Sequence, residues 1–225
     1  MTIKENEKQE YTKIFGKGNQ KISSDVFTYS HTMIKGCSKN CKDCKGTCYA
    51  VQRYKQYKNV RRKWDSNFAL SKTKEFYNRF VNEIIKRKIN IVRLFQSGDV
   101  YNKSFLNRLY KSIQDTPNTK YWGYTKNPDA MKLNELPNCN MIYSYINGYR
   151  NYGTQEYCNL LKQKFNAHIC TLDEKAGEKC GNHCKYCLDK THDKVCFVIH
   201  GSRKNKDDYE SKVIEQLRAL PDYVG

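Results

Sequence analysis

Two short, cysteine-dense loops constrain this chain more than any other feature. The first reads Gly36-Cys37-Ser38-Lys39-Asn40-Cys41-Lys42-Asp43-Cys44-Lys45-Gly46-Thr47-Cys48-Tyr49, and the second Cys180-Gly181-Asn182-His183-Cys184-Lys185-Tyr186-Cys187. Segments this short can wrap an inorganic centre but cannot pack as a core. Thiolates suit zinc or iron–sulfur centres. The lysines around the first loop favour the thiolate form. Cys37, Cys41 and Cys44 form C-x3-C-x2-C, and Cys37, Cys44 and Cys48 form C-x6-C-x3-C. In the second loop Cys180, Cys184 and Cys187 repeat C-x3-C-x2-C, with His183, His192 or Cys170 as a fourth ligand. Four N/S ligands would close a zinc site, whereas an open position would suit an iron–sulfur cluster.

The rest of the sequence sets the compartment. No apolar run is long enough to span a bilayer, and Met1 to Gln9 lacks the apolar stretch of a secretion signal. The expected location is the cytoplasm, where disulfides are disfavoured, so the chain's eleven cysteines call for another explanation. Cys139, Cys158 and Cys196 stand singly in apolar patterns and read as small core residues. A net charge of +18 points to an acidic partner, with nucleic acid or a nucleotide first. Tyr49, Arg53, Tyr54, Tyr57, Arg61, Arg62 and Trp64 interleave rings with cations, as in single-strand binders. The preferred reading of that stretch is a helix packing its aromatic residues inward. No Gly-Lys-Ser/Thr phosphate loop and no Gly-x-Ser-x-Gly turn is present.

Residues 1–24 read as a polar lead-in, and 25–225 as one α/β domain carrying cysteine loops 36–50 and 180–187. Strand patterns recur at 26–30, 89–96, 120–125, 141–146, 167–172 and 195–199. Helical spacing marks 49–62, 72–88, 105–113, 129–136, 157–165 and 209–220. Strands alternating with helices imply parallel pairing. The expected fold is an incomplete β/α barrel of about six mainly parallel strands, with an open doubly wound sheet as the alternative. In such barrels the C-terminal strand ends build the site. There Asp99, Lys126 and His200 are the candidate catalytic residues. Each also has a plain reading: a turn or cap for Asp99, a solvated loop position for Lys126, and a core-edge histidine for His200.

The C-x3-C-x2-C loop after a first strand resembles that of the radical S-adenosylmethionine enzymes. The resemblance implies that Cys37, Cys41 and Cys44 ligate a [4Fe–4S] cluster, which needs a reductant and cleaves S-adenosylmethionine to a 5′-deoxyadenosyl radical. It also implies that Ser97, Gly98 and Asp99 match the segment contacting the methionine amine, where a carboxylate can accept from an ammonium group. Asp43 stands where that family usually has an aromatic residue; the aromatic version, Tyr186, is in the second loop. A broader resemblance, over about residues 26–201, is to the phage gene-product-eighty-eight family, through Cys44-Lys-Gly-Thr-Cys48-Tyr49-Ala50, Ser97-Gly98-Asp99, Tyr124-Thr125-Lys126 and His200. It favours Cys37, Cys44 and Cys48 as ligands with Cys41 extra, and implies a phage or prophage protein in a host cytoplasm.

The expectation is an iron–sulfur, radical S-adenosylmethionine-like protein with a second cluster or zinc at Cys180, His183, Cys184 and Cys187. Its rival is a zinc-stabilised nucleic-acid-binding protein without catalysis.

Overall fold

The fold was analysed in a computed structural model. It describes residues 13–18, 25–38 and 48–145, together with the backbone of strands at 168–171, 178–179 and 194–196. The described strands are β1 (Gly16–Lys17), β2 (Val26–Tyr29), β3 (Ile91–Leu94), β4 (Lys120–Thr125), β5 (Cys139–Tyr145), β6 (His168–Thr171), β7 (Glu178–Lys179) and β8 (Lys194–Cys196). They form one sheet in the order β1-β2-β3-β4-β5-β6-β8-β7. β2 to β6 run parallel throughout, and β1 adds an antiparallel edge. The helices are α1 (Tyr49–Gln56), α2 (Lys58–Ser71), α3 (Glu75–Arg87) and α4 (Lys103–Gln114), with a 3-10 helix at Pro128–Glu135.

This sheet corrects the barrel expectation. Among the described residues β1 and β7 do not pair, so the sheet is open. The central strands follow one another in chain order. No strand order reverses among them, so the switch point of a doubly wound sheet is absent from this part too. Right-handed crossovers that always step the same way place their helices on one face.

Side-chain alternation shows the same thing. Tyr29, Val92, Leu94, Tyr121, Met141 and Tyr143 share a core with Phe76, Phe80 and Ile84 of α3 and with Phe105, Leu109 and Ile113 of α4. Phe76, Phe80 and Ile84 recur at four-residue spacing, which lines one helix face. Lys88 ends α3 in the left-handed conformation, at φ +50°. Asn102 starts α4, its Oδ1 accepting the Phe105 amide at 2.8 Å. Phe105 is fully buried and stacks on Tyr101 with ring centroids 4.9 Å apart.

Two local expectations change. The 49–62 stretch forms two helices, because Tyr57 takes extended backbone between α1 and α2. Ile14 and Phe15, from the stretch read as a polar lead-in, are buried in the main core. Their amides donate to the Glu83 carboxylate, at 2.6 Å from Ile14. Ile14 and Phe15 are too few to show a period, so local pattern could not flag them. The helices expected at 157–165 and 209–220 lie outside the described residues. No helix among the described residues is long and apolar enough to cross a membrane.

Candidate functional site at the C-terminal rim

The parallel strands β2, β3 and β4 end side by side: Tyr29 pairs with Leu94, and Leu94 with Gly123. Three segments leave these ends; backbone bonds tie the first two, and the Asp99 carboxylate ties the third. The His31 amide donates to the Ser97 carbonyl at 3.2 Å, and the Asp99 amide to the Gly36 carbonyl at 2.8 Å. The rim therefore joins the start of the first cysteine loop to Ser97-Gly98-Asp99.

Asp99 is buried, and its carboxylate is already engaged. Oδ1 accepts from the Val100 amide and the Thr125 hydroxyl, both at 2.7 Å, and Oδ2 from the Lys126 amide at 2.9 Å. Loss of water pushes its pKa up to about 6, against the pull of those donors. A carboxylate offers about four acceptor positions, so among the described residues one on Oδ2 is not taken up. The cap reading expected for Asp99 is corrected, since Asn102 caps α4. Lys126 extends along the sheet and donates from Nζ to Ser144 Oγ at 3.0 Å.

The Cys37 thiol lies within electrostatic reach of Cys48, Asp99 and Lys126. Burial first, then the Asp99 and Cys48 charges, push its pKa well above the ordinary thiol range. Such a place opposes a bare thiolate; only a bound cation would deprotonate it. Cys48 is the N-cap residue of α1 and makes no side-chain capping bond. A helix N-terminus favours a negative ligand. Both cysteines pack against a small cluster of Met33, Ala50, Val51, Tyr54 and Trp64.

The described portion of the site thus unites Cys37, Cys48, Ser97, Gly98, Asp99 and Lys126. Cys41 and Cys44 lie outside the described residues, as do Cys180, His183, Cys184 and Cys187 of the second loop, and His200. Among the described residues no three His, Cys, Asp or Glu side chains gather to hold an ion. Cys139 is a buried core residue, as its apolar surroundings suggest.

The sequence reading missed His31. It is fully buried, stacks on Phe68 and meets Tyr29, Phe95, Tyr101 and Phe105 edge-on. Burial lowers its pKa to about 4, so the ring is neutral. Nδ1 lies 3.3 Å from the Thr32 carbonyl, while Nε2 is buried without a partner among the described residues. Gly36 and Gly98 both close upon this ring. The histidine is a strut beneath the cysteine loop and the Asp99 turn. A lone histidine after a strand carries no local signal of that role.

Comparison with known proteins shows that residues 1–216 match the family model described as Gene product 88. No curated protein and no solved structure matches the chain.

Proposed function

The chain belongs to the gene product 88 family, and from that premise we propose that it is a phage-type iron–sulfur protein, a radical S-adenosylmethionine-like enzyme. The observation that supports this is the meeting of Cys37 and Cys48 with Asp99 and Lys126 at one strand-end rim. Cys37, Cys44 and Cys48, with Cys41 beside them, are the residues proposed to hold a [4Fe–4S] cluster. The chemistry that cluster supplies is one-electron transfer to S-adenosylmethionine, drawn from an external reductant.

The protein's own part is positioning. The Asp99 Oδ2 position not taken up among the described residues is proposed to accept from an ammonium group, and burial strengthens any bond made there. Thr125 and the Lys126 amide hold its carboxylate in place. Gly98, at φ +77°, lets the backbone turn tightly against His31. Lys126 and His200 are proposed to face the substrate, a nucleotide or nucleic acid. Cys180, His183, Cys184 and Cys187 are proposed to hold a second cluster or zinc.

Oxygen-free purification with iron and sulfide analysis tests the cluster. Equilibrium dialysis with labelled S-adenosylmethionine tests the ligand, which Asp99→Asn should lose. Retained binding in that variant would remove Asp99 from the reading.

A second reading, a zinc-stabilised nucleic-acid-binding protein, draws on α1 and α2. Arg53, Tyr57, Lys58 and Arg62 are exposed there. However, Tyr54 and Trp64 are buried and stacked on each other at 6.4 Å, which takes them away from bases. The rim chemistry is therefore preferred.

A further inference from the structure

The sheet face opposite α3 and α4 carries a different kind of surface. Residues that alternate with the core positions point to it: Arg93 on β3, Trp122 and Tyr124 on β4, and Ser144 on β5. Pairing register places Arg93 beside Trp122. The Arg93 guanidinium carbon lies 5.2 Å from the Trp122 ring centroid and 5.8 Å from that of Tyr124. Tyr124 meets Trp122 edge-on, with centroids 5.6 Å apart. The rings thus form a bed that fixes a planar cation.

Two donors on this bed have no acceptor among the described residues. Arg93 Nε and Trp122 Nε1 are both buried without a hydrogen-bond partner there, and Trp122 as a whole is 8 % exposed. No carboxylate pairs with Arg93 among the described residues. Arg93 as a whole is half-buried, but its Nε is withdrawn from water, and a donor held so without an acceptor is costly. Unpartnered donors beside a fixed guanidinium have the chemistry of an oxyanion receptor. The same face continues to Ser144 and Lys126 at its C-terminal end, next to Cys37 and Asp99.

We propose that Arg93, on its bed of Trp122 and Tyr124, is the anion-binding residue of a small-ligand site on the sheet face opposite α3 and α4, receiving a phosphate or carboxylate group. The site stands on these residues alone and does not depend on which metal the cysteines hold.

Calorimetric titration of the protein as purified, with inorganic phosphate, adenosine monophosphate and succinate, tests this. At least one of the three binds, and the one that binds names the oxyanion. Adenosine, which lacks the charge, binds at least tenfold more weakly than its monophosphate where the latter is the ligand. Arg93→Gln lowers the affinity tenfold or more. Arg93→Lys, which keeps charge and loses the planar fork, falls between. Trp122→Phe keeps the ring, loses the N–H and weakens binding several-fold.

The ligand-free melting temperature separates this role from a structural one. Arg93 pairs with no carboxylate among the described residues, so Arg93→Gln leaves the ligand-free protein about as stable as the parent. Failure of all three anions to bind would overturn the proposal. So would unchanged affinity in Arg93→Gln, or a clear drop in its ligand-free melting temperature.

Discussion

Gly98 lies so close to His31 that a Cβ built on it would fall 2.4 Å from the imidazole Nδ1. Its φ of +77° is also one that side chains rarely adopt. The turn bearing Asp99 and the ring beneath it therefore fit only as a pair. Gly98→Ala should cost more than about 2 kcal/mol, since left-handed backbone alone costs roughly 1–2 kcal/mol outside glycine. Chemical denaturation measures the loss. His31→Ala together with Gly98→Ala should cost less than the sum of the two, because the overlap is then gone. Strict additivity would mean that the two residues do not share strain.

Burial shifts Asp99 and His31 in opposite directions, so their contributions to stability change oppositely with pH. The unfolded carboxyl ionises near 3.9, whereas in the fold it ionises at about 6. Its contribution to stability is full below about pH 4 and is lost as pH rises through 6. The His31 ring, lowered from 6.5 to about 4, does the opposite: its contribution is present above 6.5 and lost as pH falls through 4. Each effect is on the order of 3 kcal/mol at its limit. Between about pH 4 and 6 the two slopes oppose. Asp99→Asn should therefore make stability fall more steeply with acid than in the parent, and His31→Gln should make it fall less. Parallel stability–pH curves for all three proteins would refute both shifts.

Thr125→Val removes a hydroxyl that donates to the buried Asp99 carboxylate at 2.7 Å. A hydrogen bond to a charged group contributes about 1.5–3 kcal/mol, and it favours the ionised form. The variant should lose stability at neutral pH and ionise Asp99 at a higher pH than the parent. Carboxyl carbon shifts in a labelled sample, followed against pH, read this directly. A midpoint that stays put or moves down would argue against it.

Cys37→Ser and Cys48→Ser should each lower bound iron, whereas Cys139→Ala should leave it unchanged. Cys139 belongs to the core behind the sheet, so its replacement acts only through packing, at a few kcal/mol at most. Iron per chain in the three purified variants decides this. Equal loss in all three would mean that the thiols do not act as a set.

Much of the strand pattern was legible because buried parallel strands read as short apolar runs. Ile91-Val92-Arg93-Leu94 shows both what is readable and what is not. The run marks β3, and the charge at its third position signals a residue turned away from the helices. Nothing local says that Trp122, about thirty residues on, would lie under that charge; only the register of β3 on β4 does. The cysteine loop and Ser97-Gly98-Asp99 were visible as motifs, but their closeness follows from adjacent parallel strands ending together. His31 was illegible because its role depends on two glycines, Gly36 later in its own loop and Gly98 in the turn after β3. The open edge was missed for a similar reason: repeated strand–helix units are common to closed and open sheets.

Quantifying metal and acid-labile sulfide in protein purified without oxygen bears most directly on the central claim. The account predicts a brown protein with roughly four iron and four sulfide per chain at the least, reduced strongly by Cys37→Ser. A colourless protein that holds zinc and no sulfide would contradict it.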